Sequence, residues 1–423
     1  MKILWVKADK LLPVQNGGNI RTYHVLQYLS ARHQLTFYSY YAGTPDPDYE
    51  RELQRQLPGA VAVSTGKREL SGATRGLDYL AHLGARPPYA VSRFADAKVQ
   101  KQIRTWFREQ RFDVAVCDFL DAAVNFPGRL NLPSVLFQHN VESEIWRRHA
   151  ATAGDPAKKM MYRLEFRKML RYERAAVCKF QHVIAVSEND RALMTQWVDG
   201  DRVTVVPTGV DLAEYRPDPA NSNSDPNASA PLITFVGAMD WEPNVDGVEY
   251  FCAEVWPAIK AEVPQARFRI VGRNPGRRVQ KWASLDASIE VTGRVPSVVE
   301  HLRQSAVVIV PLRIGGGTRL KIYEAMAAGK AVVSTTVGAE GLDVHHGRDI
   351  MLADDARSFA QAVIALLRDP EMRRRYQAAA AATAARYDWP AIGERFAEVL
   401  QSVAAKRSLA DCAESGLRIR APL

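Results

Sequence analysis

Short aliphatic and β-branched runs recur along this chain, and most are followed by a stretch with apolar residues at helical spacing. The first run, Ile3-Leu4-Trp5-Val6, precedes a polar loop at 11–19 (LLPVQNGGN) and a helix over 20–32 with Ile20, Tyr23, Leu26 and Leu29 on one face. Further strands are expected at 35–40, 113–117, 134–137, 182–186 and 203–207. A second series follows at 232–236, 267–271, 290–293, 307–310, 331–334 and 350–352. Strands of four or five uninterrupted apolar residues are the signature of parallel sheets covered on both faces. The pattern predicts an α/β protein with two doubly wound, Rossmann-like domains. Residues 217–231 (PDPANSNSDPNASAP) read as the linker between a domain at 1–216 and one at 232–386. An amphipathic helix is expected over 387–404, with a disordered tail at 405–423.

Composition narrows this little. At 423 residues the chain can bury two cores. Its four cysteines (Cys117, Cys178, Cys252 and Cys412) have neither disulfide-framework nor zinc spacing, which fits a reducing compartment. The N-terminus has too short an apolar run for a signal peptide and no segment reaches membrane-spanning length, so a cytoplasmic protein is expected, with peripheral association at the inner face of the cell membrane as a variant. Net charge is +9, mostly carried by residues 1–216. Anionic lipid or a diphosphate-bearing substrate would use that charge; no nucleic-acid motif accompanies it. The run at 158–174 (KKMMYRLEFRKMLRYER) reads as a basic helix that can lie on anionic membrane or pack on the sheet, and packing is favoured.

The most informative stretch is 305–336. After the strand 307–310 come Gly315, Gly316 and Gly317, then Thr318 as a cap for a helix from Arg319 to Ala328. Glycines at a strand-to-helix handover, with open N–H groups and the positive helix end, suit a phosphate. Arg319 and Lys321 add charge beside it. Glu324, about a turn and a half into the helix, offers an acceptor-only carboxylate for a pair of ribose hydroxyls.

This stretch resembles the nucleotide-sugar loop of family 4 glycosyltransferases, retaining enzymes of the GT-B fold, in which Glu-x7-Glu precedes Ala-Met-Ala-x-Gly. Residues 324–329 (EAMAAG) match the second half, whereas Gly316 stands where the first Glu is expected. A subset found among bacterial exopolysaccharide sugar transferases also carries Gly-Gly-Thr-Arg-Leu-Lys, as this chain does at 316–321. The resemblance implies two Rossmann-like domains facing across a cleft, with the last helix crossing back to the first domain. It implies Glu324 as the ribose ligand, Gly316, Gly317 and Thr318 around the donor, and no metal. Ala238 and Pro243 or Asn244 stand where many members carry an Arg and a Lys that clamp the diphosphate, so Arg319 and Lys321 are expected to supply that clamp.

In the first domain, Gly17 and Gly18 resemble the family's N-terminal glycine loop, and Arg21 at the helix start could reach a phosphate. His139 matches the family's cleft histidine, which contacts the donor sugar. Glu142 and Glu144 are further candidates, equally explained by the helix dipole. Thr208-Gly209-Val210-Asp211 resembles the family's Asn-Gly-Val-Asp turn, and Arg273 falls at a turn that in the family surrounds the base. The reaction implied is transfer of a sugar from a nucleoside diphosphate sugar, used as co-substrate with no cofactor, to a hydroxyl of a glycan or lipid-linked acceptor, with retention and in polysaccharide assembly. A non-catalytic scaffold and a nucleotide-sugar 2-epimerase are the rival expectations.

Overall fold

The computed structural model describes the chain except residues 15, 69–71, 83, 86, 217–229, 315–319 and 418–423, and except the side chains of 72, 73, 75, 77 and 407–417. The expected ligands Gly316, Gly317, Thr318 and Arg319 lie outside the described residues, as does nearly all of the linker. The chain divides into two compact units, one formed by 1–207 with 392–423, the other by 208–391. Among the described residues no helix is long and apolar enough to cross a membrane.

The first unit is built on seven parallel strands: β1 (Lys2–Ala8), β2 (Gln34–Tyr41), β3 (Ala60–Ser64), β4 (Val114–Asp118), β5 (Ser134–Phe137), β6 (His182–Ala185) and β7 (Val203–Val205). Their order is β3-β2-β1-β4-β5-β6-β7. β1 is central and almost fully buried, with Trp5 opposite Phe37 on one side and Val116 on the other. β3 has no counterpart in the sequence reading. Its Ala-Val-Ala-Val-Ser lies at the sheet edge with only Ala60 buried, so it lacks the strong apolar run of the inner strands. Phe396, from the last helix Trp389–Leu417, packs on Trp5 and Phe137 at ring distances of 5.3 and 4.9 Å.

The long helix Pro156–Lys179 contains the basic run and packs within this unit, as favoured. Its buried positions are Glu165, Met169, Glu173, Ala176 and Val177, one position round from the expected face of Met161, Leu164, Lys168 and Tyr172. Two carboxylates on the inner face explain the shift, because hydropathy alone would place them outside. Glu173 Oε1 accepts the Glu142 N–H at 2.7 Å and Oε2 the Ser143 N–H at 3.0 Å, so this side chain caps the helix Glu142–Thr152 from across the interface.

The second unit holds six parallel strands: β8 (Leu232–Val236), β9 (Arg267–Val271), β10 (Ile289–Gly293), β11 (Val307–Val310), β12 (Ala331–Ser334) and β13 (Met351–Leu352), in the order β10-β9-β8-β11-β12-β13. Both sheets reverse direction of winding beside their first strand, between β1 and β4 and between β8 and β11. In open α/β sheets ligands bind outside the carboxyl ends of strands at such a reversal.

Candidate active site

At the carboxyl end of β8 the chain turns through Gly237 and Ala238. Lys321, in the first turn of the helix Leu320–Ala327, reaches this turn. Its ammonium donates to Asn244 Oδ1 at 2.8 Å and lies over the Phe235 ring at 4.4 Å. Asn244 is held by its own amide, which donates to the Ala238 carbonyl at 2.8 Å. A Cβ on Gly237 would come within 2.7 Å of both Lys321 Nζ and Asn244 Nδ2, so this residue must be glycine for the cation to settle there. A side chain 77 positions from Asn244 in sequence thus brings a cation to the Ala238 turn.

Glu324 sits one turn further into that helix, beside Tyr215 of the short helix Leu212–Tyr215. The Tyr215 side chain is one of the groups that act on its carboxyl. Burial pushes the Glu324 carboxyl above the usual carboxylate range, against the opposing pull of Tyr215 and Lys321. Tyr215 gave no signal in the sequence beyond its place after the Thr-Gly-Val-Asp turn. Arg273 lies at the next strand end, 3.3 Å from Asp240, which also accepts from Asn274 Nδ2 at 2.9 Å. The two turns touch: a Cβ on Gly272 would lie 1.7 Å from the Gly237 carbonyl oxygen.

The first unit has its own polar cluster at the β1/β4 reversal. His139 Nδ1 is 2.9 Å from Arg21 Nη1, and Nε2 is 2.7 Å from Asp118 Oδ1. A guanidinium only donates, so Nδ1 carries the lone pair and Nε2 the proton, which it donates to Asp118. Asp118 Oδ2 accepts from the Thr22 hydroxyl at 2.9 Å and lies 3.8 Å from Lys7 Nζ. Phe119 stacks on the imidazole with ring centroids 3.7 Å apart, and the Lys7 ammonium lies 4.4 Å from the Phe119 ring centroid. Lys7, Arg21, Asp118 and His139 are each at most 4% exposed.

Burial drives the His139 pKa down to about 4, overcoming Asp118, which raises it. Burial likewise lowers Arg21 to about 10. Asp118 would be raised by burial, yet Lys7 and the His139 N–H hold it below the usual carboxylate range. The structure thus brings Arg21 and His139 together, but with both imidazole nitrogens bonded inside the unit and the guanidinium buried against the ring. Gly18 packs on the same cluster, since a Cβ there would lie 2.3 Å from Phe119 Cζ. Gly17 begins the helix Gly17–Ser30, whose cap is Asn16. Sequence reasoning missed Lys7 and Asp118, which sit inside or at the end of strands and carry no motif. Glu142 begins its helix as expected; burial, Asp121 and Glu173 push its carboxyl up to about 8. Glu144 pairs with Arg147 at 2.8 Å on the surface.

Residues 15–214 match the family model for Glycosyltransferase Family 4, and residues 230–369 match that for Glycosyl transferases group 1. The phosphatidyl-myo-inositol mannosyltransferase of Mycolicibacterium smegmatis is 29% identical over 226 residues, 52% of this chain and 57% of that protein. The D-inositol 3-phosphate glycosyltransferase of Thermobispora bispora is 30% identical over 219 residues, 47% of this chain and 50% of that one. The matched region thus spans little more than half the length of these relatives. Among solved structures, sucrose-phosphate synthase from Thermosynechococcus elongatus superposes with a TM-score of 0.69 at 17% identity, covering 96% of this chain and all of the other. Anabaena HepE in complex with UDP and glucose superposes at 0.66 and 16% identity, covering 95% of this chain and all of that one.

Proposed function

The chain belongs to the family 4, group 1 glycosyltransferases, and from that premise we propose that it moves a sugar from a nucleoside diphosphate sugar to a hydroxyl acceptor, with retention. The observation that carries this reading is the Lys321 ammonium seated over Gly237 at the carboxyl end of β8, one helical turn from Glu324. A diphosphate at that strand end meets a fixed cation. Glu324 anchors the ribose, with Tyr215 orienting its carboxylate, and Arg319 with the Gly316-Gly317-Thr318 backbone completes the clamp. Arg273 is the candidate for the base or an outer phosphate.

The chemistry proposed is front-face transfer. The acceptor oxygen bonds to the anomeric carbon as that carbon's bond to the diphosphate oxygen breaks. The proton passes to the leaving phosphate, whose growing negative charge Lys321 and Arg319 stabilise. This division of labour gives metal no necessary role, so turnover is expected to persist in EDTA. In the first unit, the neutral His139 held by Arg21 and Asp118 is a rigid wall of the sugar site, and Gly17 and Gly18 supply N–H groups at a helix start. UDP, the nucleotide of the HepE complex, is the first donor base to try; polyol hydroxyls like those named for the inositol-modifying relatives, and polysaccharide intermediates, are the first acceptors. Met160 and Leu164, both exposed among the cations of the helix Pro156–Lys179, support a peripheral contact with anionic membrane.

Thermal unfolding in the presence of UDP, GDP and their sugars tests the reading. One nucleotide is expected to raise Tm, and Lys321→Ala to weaken that nucleotide at least tenfold, about 1.4 kcal/mol. If no nucleotide shifts Tm, the reading falls. Binding without turnover on any acceptor would turn it into a scaffold, and release of free sugar without acceptor into an epimerase.

A further inference from the structure

A pocket of about 800 Å³ opens in the first unit at the carboxyl ends of β1, β2 and β3. That volume lies within the range of ordinary small-molecule sites. Three backbone features shape it. After β1, Asp9 takes a φ of +76°, a conformation that non-glycine residues seldom hold, and its N–H bonds to the Tyr40 carbonyl at 2.8 Å. After β2, the Tyr41 hydroxyl accepts the Asp46 N–H and donates to Glu50, which fixes the ring. After β3, the Lys67 carbonyl accepts the Gly43 N–H at 2.7 Å, while its ammonium bonds the carbonyls of Arg93 and Ala95. The β3 loop and the turn at 89–95 are thereby laced into one rim.

The lining is aromatic and basic. Tyr41, Tyr89 and Phe94 present ring surface, and Lys67, Arg68 and Arg93 present charge. Two carboxylates, Asp9 and Asp78, also line it, but Asp78 is already engaged: it accepts the Tyr89 hydroxyl at 2.7 Å and lies 3.5 Å from His82 Nδ1. Arg93 lies over the Phe94 ring at 4.4 Å, which leaves its planar fork in a fixed attitude. Asp9 Oδ1 accepts the Lys10 N–H at 2.8 Å, so among the described lining residues three cations face two carboxylates that each already hold a donor. Sugar and polyol rings have apolar C–H faces that rest on aromatic rings, whereas a guanidinium fork matches a phosphate or carboxylate.

We propose that this pocket seats the acceptor of the proposed transfer and that the acceptor is an anionic saccharide or polyol. Its ring lies against Tyr89, its phosphate or carboxylate meets Arg68 and the Arg93 guanidinium that rests on Phe94, and Asp9 takes a hydroxyl. The inference rests on the glycosyltransferase reading for the word acceptor, but the anion preference can be measured without turnover.

Ligand-observed NMR titration of the full chain, with saturating UDP to occupy the nucleotide site, would compare glucose, glucuronic acid and glucose 6-phosphate. At least one anionic probe is expected to bind about tenfold more tightly than glucose, and the advantage to shrink as salt is raised. The two anionic probes separate carboxylate from phosphate recognition. Arg68→Ala, at an exposed position, and Arg93→Ala should each cut the advantage severalfold while leaving the UDP-induced Tm rise intact. Equal binding of neutral and anionic probes, or no binding by any of them, overturns the proposal. So does an advantage that survives both arginine variants yet disappears in Lys321→Ala, since the anion would then be reading the nucleotide site. If UDP fails to bind but the anion preference is present and sensitive to Arg68 and Arg93, the donor assignment is lost and the anion site stands. If UDP binds and the preference is absent, only this inference is lost.

Discussion

His139 shows how far a single residue's chemistry is settled by its neighbours. Because Arg21 can only donate, the imidazole lone pair is at Nδ1, and burial keeps the ring neutral with a pKa of about 4. The sign follows by linkage. An unfolded histidine takes its proton near pH 6.5 and the folded one does not, so this residue's stabilisation is complete above about pH 6.5 and is lost as pH falls toward 4. Histidine-detected NMR should show His139 titrating near 4, with unfolding free energy falling across that same interval; a midpoint near 6.5 would contradict the geometry. Glycines provide a second test at this scale. Gly237→Ala places a methyl against the flexible end of Lys321 and should weaken nucleotide by about tenfold with little change in Tm. Gly272→Ala drives a methyl into the Gly237 carbonyl, a backbone atom, and should lower Tm itself. That His139 follows a strand end, that Glu324 lies within a helix and that Gly17 and Gly18 open one could be read from the sequence, because strand ends and helix starts are local patterns. The Lys321–Asn244 contact and the Asp118 clamp could not, because they join residues that only the folded sheets bring together.

Elements follow the same division. The inner strands were legible because parallel sheets demand continuous apolar runs, whereas edge strand β3, half-exposed and alanine-rich, was not. The face of the helix Pro156–Lys179 was misread by one position because Glu165 and Glu173 point inward. Glu173 repays its burial by capping the helix Glu142–Thr152, accepting from two backbone N–H groups, from the Ser143 hydroxyl and from Gln138 Nε2 at 2.6 Å. Glu173→Ala strips these donors of their acceptor and should cost about 2–4 kcal/mol in denaturant unfolding. Glu142, at the first turn of the capped helix, has its carboxyl raised to about 8 by burial, Asp121 and Glu173. Its folded form holds a proton that the unfolded form releases near pH 4.5, so its contribution is full below that and is lost as pH rises through 8. Glu142→Gln should therefore gain Tm relative to the parent chain at pH 9 and gain little at pH 5. In the second unit, Tyr215→Phe removes the hydroxyl that meets Glu324. It should raise the nucleotide Kd a few-fold with the fold intact, as isothermal titration can read.

At the scale of the whole molecule, two sheets with the same winding each place polar groups at the reversal beside the first strand, and the pattern of apolar runs was enough to foresee both. The return of the last helix to the first domain was an expectation of the family resemblance, not of the apolar pattern. Phe396 fills the space against Trp5 and Phe137 and is fully buried. Phe396→Ala should cost about 3–5 kcal/mol of unfolding free energy, with the loss confined to the transition of the first unit if calorimetry resolves two.

Residues 208–391 form an uninterrupted insertion within a unit that begins at Met1 and resumes at Ile392. During synthesis from the N-terminus, the inserted body is therefore finished before its host. Trp5 and Phe137 stay without the Phe396 ring until the final stretch emerges from the ribosome. A premature stop near residue 391 would leave the insertion whole and the host without its lid.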